Sequence, residues 1–586
     1  MSDFILNARY LKIIFKTAFI LSFIGVLAFI VDFGFDQSEG IQHALNFYYL
    51  VILIVGIAAT LLRYFSRRKK LSTSVIVFDA ISILVTLYIM GIHFFSLEAH
   101  KHLSVLYNDN WVKFAILLTF IREFAEQNIN LKRTYFNPAQ VFILSFLGII
   151  LFGACLLMLP KASYEGIHFL DALFTSTSAV CVTGLVVVDT GTFFTPFGQS
   201  VILLLIQLGG LGILTFASYF SYFFKGGSTY ENQVMLSDIT NSQKIGEVYS
   251  TLKRILLITF SIEAIGAITI FFSIPKEAIA DVSDRLVFSV FHSISSFCNA
   301  GFSTLSNSLY DIDFRYNYTF QILIIALFVL GGLGFPIVMN LIKYLKYKAI
   351  YFFAERRKTT QPWVLSLNSR ITLITTVSLT IVGTIVFYIA EYSNTLAAHG
   401  GMGKWVHALF GAATPRTAGF NSLPMDELHF STVMLIIFLM WIGASPASTG
   451  GGIKTSTFAI ATLNFLSLSR GKTRIEVYRR EVADISVKRA FAIMSLSLVV
   501  IGFAVITISI SDSELSLLSI AFECFSAYST VGLSLGITAG LSSVGKGVLI
   551  IVMFVGRVSM LSIMIAIFHK AKYTAYRYPS EEILIN

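Results

Sequence analysis

The sequence predicts an all-α membrane protein with four helix, re-entrant loop, helix repeats, preceded by about four extra N-terminal transmembrane helices. Of its 586 residues, 55% are hydrophobic and only 13% are charged, whereas soluble globular domains carry about 25% charged residues. Apolar stretches long enough to cross a bilayer core of about 30 Å recur along the whole chain. A short motif that ends in glycine also occurs four times, and self-similarity at a regular spacing indicates a repeat architecture.

The extra N-terminal segments lie near residues 11–33, 44–64, 74–95 and 103–121. The fourth is only weakly apolar, but it must cross the membrane if the basic residues before the first segment and after the fourth both face the cytoplasm. It offers only Lys113 and Arg122 as basic residues. Because a voltage-sensing helix is rich in regularly spaced arginines, voltage sensing is not predicted.

The net charge of +10 is concentrated in connections on one side of the apolar segments. Basic clusters occupy Arg67–Lys70, 343–358 and 470–480, whereas the opposite connections carry acidic residues such as Asp281 and Asp426. Cytoplasmic loops of membrane proteins carry an excess of Lys and Arg, so we expect both termini in the cytoplasm and the protein in the inner (plasma) membrane. The same bias explains the basic charge without nucleic acid as a partner.

From about residue 137 the apolar pattern becomes helix, short segment, helix, four times over. The paired helices are expected near 138–160 and 198–224, 253–274 and 318–345, 368–391 and 431–468, and 489–511 and 546–568. Each pair encloses an apolar run of about 10 to 14 residues, which is too short to span a bilayer. Non-helical backbone persists at membrane depth only where it is buried in protein or faces water, so we expect the four loops to surround one pseudo-fourfold pore.

The predicted boundaries follow from this repeat. They are 1–134 for the N-terminal helices, 135–230, 231–350 and 351–485 for repeats 1 to 3, and 486–586 for repeat 4 with a short cytosolic tail. Residues 431–468 would form a helix of about 57 Å, nearly twice the bilayer core. We therefore predict that the small residues from Gly443 to Gly452, with Pro446 among them, interrupt this helix.

Four glycines, Gly184, Gly301, Gly419 and Gly532, lie 117, 118 and 113 residues apart. They end the segments FTSTSAVCVTGL, FHSISSFCNAGF, LFGAATPRTAGF and FECFSAYSTVGL. Each has an apolar residue ten positions before the glycine, a small residue six before it, and Leu or Phe after it. Glycines that let transmembrane helices pack closely are the alternative interpretation, but four copies in register favour a shared function.

A cation that enters the bilayer needs oxygen ligands in place of its hydration shell, and backbone carbonyls supply them without a fixed charge. Glycine allows the backbone angles that turn carbonyls inward, and a short helix before each loop would aim its negative C-terminal end at the ion. The predicted ligands are the carbonyls of Val182, Thr183, Gly184, Asn299, Ala300, Gly301, Thr417, Ala418, Gly419, Thr530, Val531 and Gly532.

These residues resemble the Trk/Ktr/HKT superfamily of potassium transporters. CVTGL, NAGFST, TPRTAGFNS and STVGLS are similar to its four filter segments, and GASPASTGGGIKT is similar to its intramembrane gating loop. The resemblance covers about residues 137–570 and implies potassium uptake through a single-subunit pore, with coupling to sodium or protons left open. It also implies a homodimer on a cytosolic ring of nucleotide-binding regulatory subunits, and no cofactor besides the transported ion. A serine at the first filter glycine accompanies sodium transport in this family, so Gly184 implies potassium.

The resemblance further implies a gate beneath the filter, made of Gly450, Gly451, Gly452, Lys454 and Arg557. Arg557 would act there as an electrostatic barrier that the glycine-rich loop helps to open or close, since intramembrane charges are candidates for function. In the alternative interpretation Arg557 caps a carbonyl and Lys454 extends to the inner boundary. Ser559-Met560 stands where the family typically has Gly-Pro, so the resemblance does not define the local geometry of the gate.

Four other features carry weaker expectations. Arg416, three residues before Gly419, is expected to brace the third loop. Glu523 and His292 share the position nine residues before their glycines and are expected to anchor the short helices. Asp79 and Glu263 are expected to hydrogen-bond neighbouring helices, and the repeated GGLG motifs at 209–212 and 331–334 to mark close helix crossings.

Two alternatives remain at this level. One is a sodium or non-selective cation transporter of the same fold, which only the four glycines oppose. The other is a membrane-embedded enzyme or sensor, but the ten histidines are scattered and no nucleotide-binding motif fits its required spacing. We therefore expect a transporter and not an enzyme.

Overall fold

The computed structural model describes residues 8–66, 73–94, 110–125, 138–211, 248–353, 365–559 and 563–564. These residues are mostly helical, which confirms the predicted all-α class. The helices are α1 (Ala8–Gly34), α2 (Glu39–Ser66), α3 (Thr73–Phe94), α4 (Asn110–Ala125), α5 (Pro138–Leu157), α6 (Phe169–Val180), α7 (Pro196–Leu211), α8 (Val248–Ser273), α9 (Val282–Phe297), α10 (Tyr318–Leu333), α11 (Phe335–Phe353), α12 (Leu367–Glu391), α13 (Gly401–Ala413), α14 (Phe430–Trp441), α15 (Thr455–Ser469), α16 (Asp484–Ser511), α17 (Leu517–Ser529) and α18 (Ser543–Val558).

A two-stranded antiparallel hairpin pairs β1 (Glu476–Val477) with β2 (Arg480–Glu481) in the connection before α16. The sequence did not predict it. Short 3-10 turns occur at Pro160–Ala162, Ser308–Tyr310, Thr395–Ala398 and Thr538–Gly540. The predicted basic cluster Arg67–Lys70, the connection around Arg357, Met560 and the C-terminal tail lie outside the described residues, as do residues 103–109 of the fourth predicted segment.

Five described helices are long and apolar enough to cross a membrane: Ile13–Gly34, Glu39–Phe65, Ser250–Ser273, Leu367–Glu391 and Asp484–Ser511. The prediction of one continuous helix over 318–345 is wrong, because α10 and α11 meet at an angle of 107°. Gly334 makes the bend with a φ of +78°, and a Cβ at this position would lie 2.7 Å from the carbonyl oxygen of Pro446. The loop after α14 therefore packs against the bend.

The predicted interruption of the long segment in the third repeat is confirmed. Helix α14 ends at Trp441 and α15 begins at Thr455. Between them the chain folds back on itself, since Ile442 and Ile453 form a parallel bridge and the Thr455 amide donates to the Ala444 carbonyl at 3.1 Å. The small residues thus form a compact loop inside the helical bundle.

Helices α1 to α4 form a bundle with buried ion pairs. Arg122 binds Asp79 at 2.7 Å, Lys113 binds Asp32 at 3.1 Å, and Arg63 pairs with Glu123. Asp79 also accepts from Tyr64, so it hydrogen-bonds neighbouring helices as predicted. These pairings neutralise the charges of Lys113 and Arg122 inside the bundle.

The N-terminal bundle contacts the first repeat through the C-terminal end of α1. Phe33 stacks on Phe197 with ring centroids 5.3 Å apart, and Asp36 forms a surface ion pair with Lys161 at 2.8 Å. A Cβ at Gly34 would lie 2.7 Å from the Leu159 side chain. This contact therefore joins α1 to the turn after α5 and to α7.

Acidic residues at the ends of α12 and α16 bind the beginnings of α14 and α18, respectively. Buried Glu391 accepts from Thr432 at 2.5 Å and from the amide of His429 at 3.0 Å. Asp512 accepts from the amide and hydroxyl of Ser542, both at 2.8 Å. Burial raises the pKa of Asp512, but hydrogen bonds from Ser511 and Ser542 outweigh it and leave this pKa below its ordinary value. Both carboxylates thus fix the N-terminus of a helix, where negative charge is favourable.

The fourth repeat also contacts the first. Lys546 on α18 binds Asp171 on α6 at 2.7 Å, although the two residues lie 375 positions apart in the chain. Both side chains are largely buried. This ion pair joins the two ends of the repeated region.

Candidate ion-binding site

Each of the short helices α6, α9, α13 and α17 ends just before one of the four recurring glycines. The residues two positions before these glycines all have positive φ, at 57° for Val182, 60° for Asn299, 76° for Thr417 and 50° for Thr530. The glycines themselves have φ between 69° and 95°. A positive φ is uncommon and strained for a non-glycine residue. Its recurrence in one register shows that the four segments share a backbone conformation.

Hydrogen bonds from the short helices fix this conformation. The residue before each glycine donates its amide back to the helix, as in Thr183 to the Ser178 carbonyl at 2.7 Å and Val531 to the Ser526 carbonyl at 2.9 Å. The hydroxyls of these two serines accept from the amides of Gly184 and Gly532 at 3.1 and 3.0 Å. In repeats 1 and 4, the small residue six positions before the glycine is therefore the residue that holds the segment, whereas in repeat 3 the Ala418 amide donates to the Thr414 carbonyl at 2.9 Å.

The four glycines lie side by side in chain order and close into a ring. A Cβ at Gly184 would lie 2.5 Å from the carbonyl oxygen of Ala300, and one at Gly301 would lie 3.0 Å from that of Ala418. A Cβ at Gly419 would overlap the carbonyl oxygen of Val531, and one at Gly532 would overlap that of Thr183. Each glycine thus packs against the residue before the next glycine, and the last contact returns to the first segment.

Glycines on α7, α10 and α18 allow the C-terminal ends of the short helices α6, α9 and α17 to approach closely. A Cβ at Gly209, Gly331 or Gly556 would overlap the carbonyl oxygen of Val180, Phe297 or Tyr528, respectively. Each of these carbonyls lies four residues before a recurring glycine. Gly209 and Gly331 therefore mark close helix crossings, as the sequence predicts, and Gly556 is the equivalent in the fourth repeat.

A cavity of about 580 Å³ opens on one side of the glycine ring. All four recurring glycines line it, together with Asp189, Asp426 and Ser534. The acidic connection that contains Asp426, which the sequence predicts to lie outside the cell, supplies part of this cavity. Carboxylates at such an entrance raise the local concentration of cations.

Polar side chains on the short helices bind the extended segments that follow the recurring glycines and lead toward this cavity. His292 Nε2 lies 2.9 Å from Ser303 Oγ, and His407 Nδ1 lies 3.0 Å from Ser422 Oγ. Glu523 accepts a hydrogen bond from Ser534. His292 and Glu523 therefore anchor the short helices to these segments, as the sequence predicts, and His407 adds a third anchor that the motif comparison did not identify.

On the opposite side of the ring, the loop between α14 and α15 contacts three of the four segments. Thr449 donates to Asn299 Oδ1 at 3.2 Å, and the Gly451 amide donates to Thr530 Oγ1 at 2.8 Å. A Cβ at Gly450 would overlap the hydroxyl of Thr417. The loop therefore lies directly beneath the ring and is hydrogen-bonded to it.

Arg557 and Lys454 both donate to backbone carbonyls of this region. Arg557 Nη2 donates to Gly209 at 2.5 Å, and Nη1 donates to Thr449. Lys454 Nζ donates to Gly450 at 2.5 Å. Carbonyl capping by Arg557, the alternative interpretation from the sequence, is thus observed. Arg557 joins the loop to the end of α7.

Two buried charged side chains, Arg416 and Glu263, bind neighbouring helices close to the ring. Arg416 donates to the carbonyl of Thr376 at 3.1 Å and to its hydroxyl at 3.3 Å, so it ties the third segment to α12. Glu263 on α8 accepts from Gln207 Nε2 at 3.1 Å. Arg416 therefore has the bracing position that the sequence predicts, and Glu263 bonds a neighbouring helix as expected.

Comparison with known proteins identifies the family. A model of the TrkH family, described as cation transport protein, matches residues 110–576. The chain belongs to the TrkH family of cation transport proteins. It is 36% identical over 455 residues to the Ktr system potassium uptake protein B of Bacillus subtilis, an alignment that covers 77% of this chain and 98% of that protein.

A second relative and one solved structure extend the comparison. The chain is 34% identical to the potassium/sodium uptake protein NtpJ of Enterococcus hirae, over 77% of this chain and 98% of that protein. The crystal structure of the potassium transporter TrkH from Vibrio parahaemolyticus superposes with a TM-score of 0.60 at 17% identity, over 84% of this chain and 98% of that one. These relatives are transporters, and the fold of this TrkH-family chain is that of a membrane transporter.

We expect Thr530→Val to loosen the loop between α14 and α15. Valine keeps the shape of the side chain but leaves the buried Gly451 amide without its acceptor, which costs about 1 kcal/mol. Amide hydrogen exchange in peptides that cover residues 443–454 should become roughly fivefold faster.

A matched control is Thr507→Val, because the Thr507 hydroxyl donates to the Phe503 carbonyl within α16. The control should leave exchange of the loop unchanged. Equal exchange of the loop in Thr530→Val and in the unmodified protein would contradict its attachment to the fourth segment.

Proposed function

We propose that the chain is a potassium uptake protein, and that the four recurring segments form its selectivity filter. The closed ring of glycines is the observation that carries this proposal. It brings backbone from all four segments around one axis, and rings of backbone carbonyls replace the hydration shell of a potassium ion. The carbonyls of Val182 to Gly184 and of the equivalent residues in repeats 2 to 4 are the proposed ligands.

The names of the relatives support potassium as the substrate. The protein from Bacillus subtilis is named for potassium uptake, whereas NtpJ is named for potassium and sodium. Gly184 favours potassium through the resemblance to filter segments with glycine at this position. Sodium transport by the same pore is the second candidate. The similarity to NtpJ, whose name includes sodium uptake, favours it.

We infer that the loop containing Gly450 to Gly452 is a gate. It lies beneath the ring, and the positive charge of Arg557 is held there by the carbonyls of Thr449 and Gly209. A cation leaving the filter meets this charge, which opposes its passage. Movement of the loop would shift Arg557, since the two are hydrogen-bonded.

The proposed partners follow from family membership. Ktr and Trk membrane proteins resemble this chain over most of its length, and we propose a homodimer that binds a cytosolic ring of nucleotide-binding subunits. The exposed lysines of α11, Lys343, Lys346 and Lys348, form a basic segment where such a ring would bind. Coupling of uptake to sodium or protons is part of the same proposal.

Growth of a bacterium that lacks its own potassium uptake tests the proposed substrate. Expression of this chain with its cytosolic partner should restore growth on limiting potassium, both with and without added sodium. Restoration that depends on sodium would indicate coupling. Sodium uptake without potassium uptake, measured by flame photometry of the same cells, would overturn the proposal.

We expect Gly301→Ser to weaken discrimination of potassium over sodium by about tenfold, equivalent to about 1.4 kcal/mol. The added Cβ would lie 3.0 Å from the Ala418 carbonyl, at a φ of +69° that serine adopts only with strain. The measurement is the ratio of potassium to sodium flux into proteoliposomes.

Gly502→Ser is the matched control, because a Cβ at Gly502 would meet nothing within 4 Å. The control should retain the flux ratio of the unmodified protein. If Gly301→Ser also retains it, Gly301 is not part of the filter.

Deletion of Gly450 to Gly452 should change conductance more than ion preference. The deletion removes the amide that binds Thr530 and the carbonyl that binds Lys454, while the segments of the ring remain. Single-channel or flux measurements at several potassium concentrations give both quantities. A control that replaces Gly400 and Gly401 by alanine alters glycines with open space around them. Unchanged conductance after the deletion would remove the gate assignment.

A further inference from the structure

Glu523 is a fully buried carboxylic acid behind the outer end of the fourth segment. It lies on α17, nine residues before Gly532, and its exposed fraction is 0%. Its Oε1 accepts from Ser534 and from Thr538, the latter at 3.1 Å. Ser534 follows Gly532 by two residues. The carboxyl group therefore binds the chain segment that follows Gly532 and leads toward the cavity.

The surroundings of Glu523 contain no cation that pairs with it in the described part of the chain. Helix α17 packs against α14, α16 and α18. The titratable and charged side chains on α17 and on these helices and their ends are Cys524, Tyr528, His429, Asp484, Lys488, Arg489, Asp512, Glu514, Lys546 and Arg557. Lys546 binds Asp171, Asp512 binds Ser542, and Arg557 binds carbonyls. Helix α14 itself carries no titratable side chain, and His429 at its N-terminal end is exposed and donates its backbone amide to Glu391.

One oxygen of this carboxyl group has no hydrogen bond. The backbone amide of Leu535 also lies against the carboxyl group, but among the described residues Oε2 has no hydrogen-bond partner, although the atom is buried. A buried carboxylate without an ion-pair partner is costly, and a proton on Oε2 would lower that cost while leaving Oε1 as an acceptor for Ser534. The geometry therefore accommodates both the charged and the neutral form.

A path for protons leads from the cavity to this carboxyl group. Ser534 and Thr538 both line the cavity above the ring. Their hydroxyls lie 2.9 Å apart and both donate to Glu523 Oε1. Hydroxyl groups both donate and accept hydrogen bonds, so they connect the outer solution to Oε1 of the buried acid, and rotation about the terminal bond of the side chain exchanges the two carboxyl oxygens.

The fourth repeat differs from the others at this position. The equivalent residues are Thr175, His292 and Phe410 in repeats 1 to 3. His292 binds Ser303, which also follows its glycine by two residues. Only the fourth repeat thus places a carboxyl group behind its segment at this position.

We propose that Glu523 is a proton-binding site at the outer end of the filter, and that its protonation from the outer solution weakens cation binding there. The carboxylate form places a negative charge behind the filter, which attracts cations. Protonation removes this charge and weakens the charge-assisted hydrogen bond from Ser534. This inference rests on the proposed filter.

The test is the apparent KM for potassium uptake between about pH 5 and about pH 8 of the outer solution, with the inner pH held constant. The unmodified protein should show a KM that rises by about fivefold on acidification, a typical coupling between two ligand sites. Glu523→Gln keeps the size and the Oε1 acceptor but carries no charge. It should show the raised KM at every pH.

His292 requires a separate variant because its protonation would add positive charge near the second segment. His292→Gln should retain the rise of KM on acidification. Ser534→Ala keeps Glu523 but removes a donor that stabilises the carboxylate, so the midpoint of its KM profile should move to higher pH. This variant also tests the proposal if Glu523→Gln does not fold.

A pH profile of Glu523→Gln that matches the unmodified protein would overturn the proton site, and so would an unshifted midpoint in Ser534→Ala. Either result leaves the filter itself in place. Failure of the filter is recognised independently, since Gly301→Ser would then keep the discrimination of potassium over sodium. The two proposals thus fail in different experiments.

Discussion

Contact between each recurring glycine and the backbone of the next segment is the constraint on which the rest of the structure depends. A side chain at Gly419 or Gly532 would occupy the space of a neighbouring carbonyl oxygen. The four segments approach one another only because hydrogen replaces the Cβ at these positions. The short helices, the serines that accept hydrogen bonds from the ring, and the glycines on the long helices all serve to hold backbone at this distance.

The two sides of the ring are held by different chemistry. Toward the cavity, side chains of the short helices bind hydroxyl groups in the segments that follow the recurring glycines. The contact of His292 with Ser303 is an example, and it lies within a single repeat. On the other side, the loop of the third repeat binds residues of the second and fourth repeats, Asn299 and Thr530. Movement of this one loop therefore acts on several repeats together.

The sequence predicts what depends on local periodicity and misses what depends on distant contacts. The recurring glycines and the interruption after Trp441 follow from spacing, length and composition, so both could be predicted. The bend at Gly334 could not, because the carbonyl of Pro446 that requires it lies more than a hundred residues away (about one repeat). The same holds for the contact of Arg557 with Gly209, which joins the fourth repeat to the first.

The ion pair between Lys546 and Asp171 has a consequence for biosynthesis. Chains are made from the N-terminus at about 5 to 20 residues per second, and these partners are separated by 375 residues. The flank of the first repeat that α18 covers is therefore without its native neighbour until nearly the whole polypeptide has left the ribosome. Membrane insertion must protect Asp171 during this interval, and a chain truncated before α18 would leave that carboxylate without its lysine permanently.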